Sequence, residues 1–421
     1  TPDAHYPESQ DAVDQQILLC SIFGNTIAEA AKKIETGEEF GLSGFFRSRK
    51  YFIISQEEMS ALHTEEELAN TVKVADLCEA YEITGPPRLP SFPTPNGESE
   101  ISYLRSLCEA QFGKKVPSGK EQEYRERLEH ELQVLEESGL GVYFLVVWDI
   151  CRYAHQVLKC KPSYGRGSAA GCLVSYLIGI TAADPIKYKL LFSRFYSADR
   201  KGSLPDIDMD FPTSQREQII QYVANKYGLE KVAQMSTYGR MQGRSAITAV
   251  LRAHSWGSHE ERKEITKHIP DEAAISDELQ EMREETGEAS IIRWALENNA
   301  EKLREWAYLD DDGRVRGPIG MYFEQAIRLE GTKQSRGKHA AGVVIFPEPL
   351  AEHFPMLYEK LTLKPITAYD MTAVEASGGI KLDILGLTGL DKPQLATHIA
   401  RTGSAASSTS SRVPQLFAEE N

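Results

Sequence analysis

The sequence predicts an α+β protein, because helical patterns fill most of the chain while strand patterns are few and short. Residues 120–139 are charged with an apolar residue at every third or fourth position, which is typical of an amphipathic helix. Residues 142–158 are more apolar and predict a buried helix. The main strand patterns are short stretches at 205–211, 339–346 and 379–387.

A mainly helical region opens the chain. Residues 1–80 predict helices with one short strand at 51–55. The following stretch, 84–98, contains five prolines and two glycines and therefore predicts a linker. Further along, residues 243–308 predict helices with breaks near Gly257 and Pro270.

The composition is that of an ordinary globular protein. The 421 residues are 41% hydrophobic and 26% charged. No apolar run approaches the roughly 18 to 20 residues that span a bilayer, so we expect no contact with a membrane. None of the six cysteines forms a CxxC pair, which predicts neither a zinc site nor a disulfide framework and favours a cytoplasmic location.

The charge is unevenly distributed along the chain. The net charge of −15 argues mildly against a nucleic-acid-binding protein, because phosphate contacts require Lys and Arg. Residues 231–253, however, contain four basic residues and no acid, whereas residues 271–288 carry eight acids and one arginine. The basic run includes Arg240, Arg244 and Arg252, which we expect to contact a polyanion if one binds. A solvated helix face would give the same local pattern.

The segment SLPDIDMDFP, residues 203–212, places Asp206, Asp208 and Asp210 at alternate positions. Alternate residues of a strand share a face, so the three carboxylates are expected to point the same way. A divalent cation such as Mg²⁺ would offset their repulsion, since hard cations prefer carboxylate oxygens. A polar edge strand facing solvent is the alternative interpretation.

The segment GRGSAAGCLVSYLIGI, from Gly165, predicts a glycine-rich loop that leads into a helix. Exposed N–H groups at a helix start bind phosphate, and glycine permits close backbone approach. Gly167 and Ser168 are the expected phosphate contacts, with Ser168 also a candidate helix cap. The loop matches neither a Walker A sequence nor a dinucleotide fingerprint. Its place ahead of the aspartates favours nucleotidyl transfer.

Such chemistry usually requires a third carboxylate from elsewhere in the chain. Asp383 is the only acid in the apolar run GIKLDILGL, and a buried acid without a partner is costly. Lys381 lies two residues earlier, on the same face of a strand, where it could meet a phosphate. A structural hydrogen bond or helix cap is the alternative role for Asp383.

Taken together, these segments resemble the C-family replicative DNA polymerases, the alpha subunits of bacterial DNA polymerase III. The resemblance runs over about residues 1 to 391, and the matching segments keep the family's order. They are GVYFLVVWDI, GRGSAAGCLVSYLIGIT, LLFSRFYSADRKGSLPDIDMDFP, GKHAAGVVIF and GIKLDILGL.

The resemblance implies a polymerase-beta-like nucleotidyltransferase palm with an inserted helical thumb. The implied segments, in chain order, are the end of a PHP-like domain with a helical connector at 1–83, a linker at 84–101, the palm at 102–240, the thumb at 241–333 and the palm return at 334–391. The composition of the remaining residues, 392–421, predicts a low-complexity, disordered tail.

The resemblance also implies roles for individual residues. The catalytic and metal-binding triad falls on Asp206, Asp208 and Asp383, which would hold two Mg²⁺ ions. The implied nucleotide-binding residues are Gly167, Ser168, Arg194 and Lys381. The implied supporting residues are Asp210, Arg166, Lys338 and His339.

Two departures from the family pattern limit what we expect of this chain. Asp3 and His5 resemble part of the PHP metal cluster, but the other cluster residues would lie upstream, so we expect no PHP metal site. The family's fingers domain should follow the segment that ends at Leu387, where a Ser/Ala-rich tail occurs instead.

The resemblance thus predicts a DNA-directed DNA polymerase acting on primer-template DNA and deoxynucleoside triphosphates, as a fragment without fingers. A second polypeptide would then carry the fingers and clamp-binding regions. Two alternatives remain open at this point. One is a nucleotidyltransferase that uses no template, and the other is an inactive fragment that binds DNA or assembles with a partner.

Overall fold

A computed structural model describes residues 3–36, 48–160, 166–197, 203–359, 362 and 364–402. Gly165, the basic residues of 198–202 and most of the predicted tail, 403–421, lie outside the described residues. The described part is a mixture of many helices and a few strands, as the α+β prediction requires.

The helices follow the chain from its N-terminal region to residue 402. They are α1 Ala12–Phe23, α2 Ile27–Thr36, α3 Gln56–Leu62, α4 Glu65–Asp76, α5 Glu100–Lys115, α6 Glu121–Glu137, α7 Gly141–Gln156, α8 Leu173–Ile178, α9 Phe192–Phe195, α10 Thr213–Tyr227, α11 Gly243–Ala253, α12 His259–Thr266, α13 Ser276–Thr286, α14 Ile291–Asn298, α15 Ala300–Leu303, α16 Gly320–Leu329, α17 Met371–Ala376 and α18 Thr388–Thr402.

The strands form one large and one small sheet. They are β1 Asp208–Pro212, β2 Val232–Arg240, β3 Tyr308–Leu309, β4 Val315–Arg316, β5 Lys333–Ile345, β6 Met356–Tyr358, β7 Pro365–Thr367 and β8 Ile380–Leu387. The six-stranded sheet has the order β1-β8-β5-β2-β7-β6, and β3 and β4 form a separate antiparallel pair. Within the large sheet, β1 and β8 are parallel while β8 and β5 are antiparallel.

The chain divides into two compact units. We call residues 82–237 and 338–421 the sheet unit, and residues 1–81 and 238–337 the helical unit. The boundaries within 237–238 and 337–338 fall inside β2 and β5. The sequence treated 1–83 and 241–333 as separate segments, whereas the structure places these two parts of the chain in one unit.

Both faces of the large sheet bury apolar side chains. Strand residues alternate between faces, so Val343 and Ile345 of β5 pack in the main core with α5, α6 and α7. Val344 and Phe346 pack in a smaller cluster that includes Val374 of α17. The second face is only partly apolar, which leaves room there for polar side chains on β1 and β8.

The helical unit has its own core, to which both parts of the chain contribute. Ile17 of α1 is buried with Val250 of α11 and Phe323 of α16. A bidentate ion pair ties two of these helices together, because Arg328 donates through Nε and Nη2 to Asp14 at 2.6 and 3.1 Å. Residues 1–81 and 238–337 therefore form one folded body.

Several predicted elements differ from the observed ones. The helices predicted at 120–139 and 142–158 are confirmed as α6 and α7, and breaks at Gly257 and Pro270 separate α11, α12 and α13. The strand predicted at 51–55 is reduced to an isolated bridge between Tyr6 and Phe52. Helix α18 continues to Thr402, into the segment that was predicted to be a disordered tail from 392.

Candidate active site

The acids of the aspartate-rich segment around β1 lie on one face of the sheet because the apolar residues between them are buried on the other face. Ile207, Met209 and Phe211 are buried in the main core of the sheet unit. Alternation then directs Asp208 and Asp210 to the opposite face. A shift of one residue would bury the acids in that core, so the burial of the apolar residues fixes the register.

Strand β8 follows the same rule beside β1. Ile380, Leu382 and Ile384 lie in the main core, which leaves Lys381 and Asp383 on the opposite face. The parallel pairing sets Asp383 directly opposite Asp208. Two acids distant in sequence are thereby brought side by side on neighbouring strands.

Three carboxylates converge at this point of the sheet. Asp206, just before β1, joins Asp208 and Asp383, and one ligand oxygen from each lies within 4.8 Å of the others. We call these three residues the acid cluster. The side chain of Asp383 is 7% exposed, that of Asp208 is 23% exposed and that of Asp206 is 65% exposed, so the cluster runs from the sheet interior to solvent.

Two cationic side chains approach the acid cluster from different sides. Lys381 Nζ lies 2.8 Å from Asp383 Oδ2 and 3.7 Å from Asp206 Oδ1. Arg166, in the loop before Gly167, lies 3.4 Å from Asp208 Oδ1 and 3.3 Å from Asp210 Oδ1. Four carboxylates therefore share two cations, and negative charge remains in excess.

The pKa values at the cluster reflect this crowding. Burial raises the pKa of Asp206, and a hydrogen bond with Asp383 raises it further despite the attraction of Lys381. Burial also raises the pKa of Asp208, with Arg166 opposing the shift and the neighbouring Asp206 and Asp210 adding to it. Burial opposes the charged form of Lys381, but its acidic neighbours outweigh that effect and raise its pKa.

These residues fit a divalent metal ion. The donors are carboxylate oxygens, which hard cations such as Mg²⁺ prefer, and their shared excess charge is what a dication would neutralise. Asp206, Asp208 and Asp383 are the residues that could hold it. The structure thus supports a metal site without identifying the ion.

The glycine-rich loop lies against the acid cluster. Gly167 has a φ of 74°, which favours glycine, and a Cβ added there would lie 3.0 Å from Asp208 Oδ2. Ser168 is exposed and begins a 3-10 turn, Ser168–Gly171. The helix-cap role predicted for Ser168 is wrong, because Cys172 Sγ accepts the Ser175 N–H at the start of α8.

Three other predicted site residues take different positions. Arg194 is exposed on α9, and its guanidinium forms no hydrogen bond or ion pair with any described residue. Lys338 pairs with Glu359 at 3.0 Å. His339 Nδ1 accepts the Gly342 N–H at 2.6 Å, and Gly342 is the register partner of Asp383, so His339 belongs to the strand next to the cluster.

Two residues near the cluster escaped sequence reasoning. Tyr143 of α7 is 3% exposed, and its hydroxyl receives a backbone hydrogen bond from Ile207. Burial, followed by the charges of Asp206 and Asp383, raises the pKa of Tyr143. Glu375 of α17 also has a raised pKa, from burial and from these acids, against the attraction of Lys381. The apolar context of Tyr143 indicated only a core residue.

The remaining predicted residues belong to the helical unit. Arg240, at the end of β2, is exposed, as are Arg244 and Arg252 of α11. At the N-terminal end, His5 Nε2 lies 3.0 Å from Asp3 Oδ1. Within the described part of the chain, no helix is both long and apolar enough to cross a membrane.

Comparison with known proteins gives this geometry a family context. The sequence model of the family described as "Bacterial DNA polymerase III alpha NTPase domain" matches residues 102–386. The chain is 37% identical over 342 residues to a DNA polymerase III subunit alpha of Halalkalibacterium halodurans, covering 81% of this chain and 28% of the relative. The same-named protein of Thermus aquaticus is 32% identical over 476 residues, covering 98% of this chain and 36% of the relative.

The matched segment contains both halves of the site. Residues 102–386 include the glycine-rich loop and the three acids of the cluster. The chain spans about a third of the length of the curated relatives that it matches. On the extent of these matches, the chain belongs to the bacterial DNA polymerase III alpha family.

Proposed function

We propose that the sheet unit carries the nucleotidyl-transfer site of a replicative DNA polymerase. The observation that carries this proposal is the convergence of three carboxylates beside a glycine-rich loop. The reaction would be template-directed addition of deoxynucleotides to the 3′ end of a DNA primer. The names of the relatives support the polymerase class, and the site supports the chemistry.

The fold proposal is a polymerase-beta-like palm with an inserted thumb. The large sheet, with β1 and β8 adjacent and parallel, supports a palm built from residues 102–240 and 334–391. The helices between β2 and β5 support a thumb at 241–333. We retain 1–83 as the end of a PHP-like domain with its connector, and 84–101 as a linker.

The proposed cofactor is a pair of Mg²⁺ ions held by Asp206, Asp208 and Asp383. When bound, such ions supply the positive charge that activates a hydroxyl nucleophile and stabilises a pyrophosphate leaving group. Asp210 would act in support by holding Arg166, since its carboxylate lies 3.3 Å from the guanidinium. The pairing keeps Arg166 beside Asp208, where it limits repulsion within the cluster.

The chain's own residues would orient the triphosphate. The Gly167 backbone passes close to Asp208, so the N–H groups of the loop and the hydroxyl of Ser168 are suitably placed to bind phosphate oxygens. Lys381, already beside Asp383, would offset charge that develops on the phosphates. Arg194 is a further candidate because its exposed guanidinium is available to a ligand.

The proposed DNA contacts use charge rather than sequence readout. Arg240, Arg244 and Arg252 belong to a run without acids, which suits contacts with phosphates of a template-primer duplex. Lys338 and His339 follow the helical unit on β5, and we propose a supporting role for them.

A second candidate function is an assembly fragment that depends on another polypeptide. The observation in its favour is that Arg240, Arg244 and Arg252 are exposed, so they could bind DNA whether or not the acid cluster is active. In this case the metal site would be present, but primer extension would require the partner that carries the fingers and clamp-binding regions. A transferase that uses no template remains the third possibility.

The test begins with Mg²⁺-dependent binding of a fluorescent deoxynucleoside triphosphate to the 421-residue chain. We expect Asp208→Asn to weaken binding by about a hundredfold or more, because a metal ligand is lost. The exposed Asp277→Asn in α13 is the matched control and should bind normally. Equal binding by all three proteins would contradict the proposed site.

Primer extension then separates the candidate functions. Template-directed extension by the chain alone, lost in Asp208→Asn, would establish the polymerase. Extension only after addition of a protein with fingers would establish the assembly fragment. Nucleotide addition whose product ignores the template would establish the third possibility.

A further inference from the structure

The helical unit contains a cavity of about 480 Å³ that shares no residue with the acid cluster. Helices α1 and α11 form its walls, and the first part of β5 contributes to it. The lining residues that matter for its chemistry are Ser21, Asn25, Arg244, Thr248, Arg252 and Gln334. All of them belong to the helical unit.

The sequence of α11 explains why a cavity forms there. Arg244, Thr248 and Arg252 are spaced four residues apart, so they form one ridge along the helix. Ala249 and Ala253 also line the cavity, and their short side chains leave space that larger residues would fill. Small side chains therefore line part of the cavity, and arginines line another part.

The cavity carries positive charge that the protein only partly neutralises. The guanidinium of Arg252 forms no hydrogen bond or ion pair with any described residue. Arg244 donates through Nε to the Ile269 carbonyl at 2.5 Å and pairs through Nη1 with Asp271 at 2.8 Å. No described residue that lines the cavity is acidic.

The negative charge that acts on Arg252 is that of Glu29 in α2. Its carboxylate is occupied by Thr26, accepting from the backbone N–H at 2.8 Å and from the hydroxyl at 3.1 Å. These hydrogen bonds lower the pKa of Glu29, while the charges of Lys33 and Arg252 make smaller contributions. Glu29 therefore reduces the positive potential around Arg252 but forms no ion pair with it.

The polar groups around the arginines are already oriented by hydrogen bonds. Gln334 Nε2 donates to Ser21 Oγ at 2.9 Å, and the Thr248 hydroxyl donates to the Arg244 carbonyl at 2.7 Å. Asn25 Oδ1 accepts from Lys33 Nζ at 3.1 Å. These three side chains are therefore already held by hydrogen bonds within the unit, and the guanidinium of Arg252 is the donor left for a ligand.

We propose that this cavity is a phosphate-binding pocket whose ligand is a phosphate ester. Guanidinium groups match phosphate oxygens in geometry and charge, and Arg244 and Arg252 place one such group at each end of the ridge that lines the cavity. The volume lies within the range of roughly 300 to 1,000 Å³ typical of small-molecule sites, which admits a nucleotide and not merely an ion. A free nucleotide and a DNA strand both offer this group.

The proposal goes beyond polymerisation and does not depend on it. In the pocket proposal, Arg244 and Arg252 bind a phosphate inside a defined cavity. In the DNA contact proposed above, they need only lie on an open basic surface. Binding is therefore to be measured in EDTA and in the Asp208→Asn variant, where the acid cluster cannot hold a metal-bound triphosphate. A failure of the polymerase proposal would leave this measurement intact.

The experiment titrates the 421-residue chain with ATP in one arm and with a blunt DNA duplex in the other. Arg252→Gln removes the free guanidinium, and we expect it to weaken binding by about tenfold or more, as for loss of a charge-assisted hydrogen bond. Thr248→Trp fills the cavity from an exposed helix position and should weaken binding while both arginines remain. Arg304→Gln, an exposed arginine outside the cavity, is the matched control.

The two arms identify the source of the phosphate. Saturable ATP binding that both pocket variants weaken, with the control unaffected, supports a nucleotide ligand. Duplex binding with the same variant pattern, and no ATP binding, supports the DNA backbone as the source. The proposal is overturned if neither probe binds, or if Arg252→Gln and Thr248→Trp bind like the unmodified chain.

Discussion

Two groups of carboxylates in the sheet unit differ in how completely they are paired. Asp149, Glu131 and Asp184 are buried, and we call them the structural carboxylates. Asp149 accepts from Arg152 at 2.8 Å, Lys226 at 2.7 Å and the Tyr222 hydroxyl at 2.8 Å. The members of the acid cluster instead share Lys381 and Arg166.

The other two structural carboxylates follow the pattern of Asp149. Glu131 accepts from Arg127 Nε at 2.6 Å and from the Val174 N–H at 3.0 Å, at the start of α8. Asp184 accepts the Ile186 and Lys187 N–H groups at 3.0 and 3.1 Å, and the Tyr124 hydroxyl at 2.6 Å. Each carboxylate has donors of its own, and each joins separate segments of the chain.

The difference indicates which acids stabilise the fold and which serve a ligand. A buried charge with its full set of donors is stable as it stands, and removing it leaves the donors unpaired. Carboxylates that crowd one another raise their own pKa values and gain from an added cation. The two groups should therefore respond in opposite ways to neutralisation.

The largest expected effect is on Asp149. Replacing it in Asp149→Ala leaves Arg152, Lys226 and Tyr222 without their common acceptor, and we expect a loss of about 3 to 5 kcal/mol in the free energy of unfolding. Urea denaturation followed by circular dichroism measures this loss. The affinity of the remaining folded protein for Mg²⁺ should not change.

The matched variant for this comparison is Asp208→Asn. It neutralises an acid of the cluster without removing volume, so its metal-free stability should equal or exceed that of the unmodified chain. The contrast between the groups would disappear if Asp208→Asn unfolded as readily as Asp149→Ala.

A smaller effect is expected from Lys381→Met. The ammonium group of Lys381 competes with a metal for Asp383, so its removal should tighten Mg²⁺ binding by about tenfold. Triphosphate turnover should fall in the same variant, because Lys381 is also the proposed phosphate contact. Calorimetric Mg²⁺ titration and a turnover assay give the two readings, and weaker Mg²⁺ binding would contradict the competition.

The smallest effect is a pH dependence of the metal-free protein. A raised pKa means that the folded state binds protons more tightly than the unfolded state, so this contribution to stability is present below the unfolded pKa and lost as pH rises through the folded value. The stability of Asp208→Asn relative to the unmodified chain should therefore increase as pH rises above about 4, the ordinary pKa of an aspartate in the unfolded state.

Added Mg²⁺ provides the control for the pH series. It should stabilise the unmodified chain at the upper end of the series and have little effect on Asp208→Asn. A stability difference that stays constant with pH would show that Asp208 is not crowded in the folded state.

The sequence predicted the acid cluster better than its surroundings. Alternation made Asp206 and Asp208 candidates, and Asp383 was a candidate because it is the only acid in an apolar run. The pairing of β1 with β8 could not be derived from either strand alone, since register between distant segments depends on the assembled sheet. The position of Tyr143 near the acid cluster could not be predicted for a related reason. An aromatic residue in an apolar helix indicates only burial and says nothing about the neighbours of its hydroxyl.

The unit composition was the least predictable feature. The sequence predicted α6, α7 and the helical stretch that contains α11, but it could not show that α1 packs with α11 and α16 in one core. Helix caps were equally difficult to predict. The sulfur of Cys172 caps the N-terminus of α8, although a nearby serine is the more typical capping residue. The phosphate-binding pocket depends on the packing of α1 beside α11, so only the assembled helical unit reveals it.

The most direct test of the whole account is metal binding by the acid cluster. Mn²⁺, a spectroscopic substitute for Mg²⁺, can be titrated into the 421-residue chain and into Asp383→Asn, with free Mn²⁺ followed by electron paramagnetic resonance. We predict saturable binding by the unmodified chain that Mg²⁺ displaces, and a loss of about a hundredfold or more in affinity in the variant. Equal Mn²⁺ binding by the two proteins, or none by either, would contradict the assignment of these carboxylates to a metal.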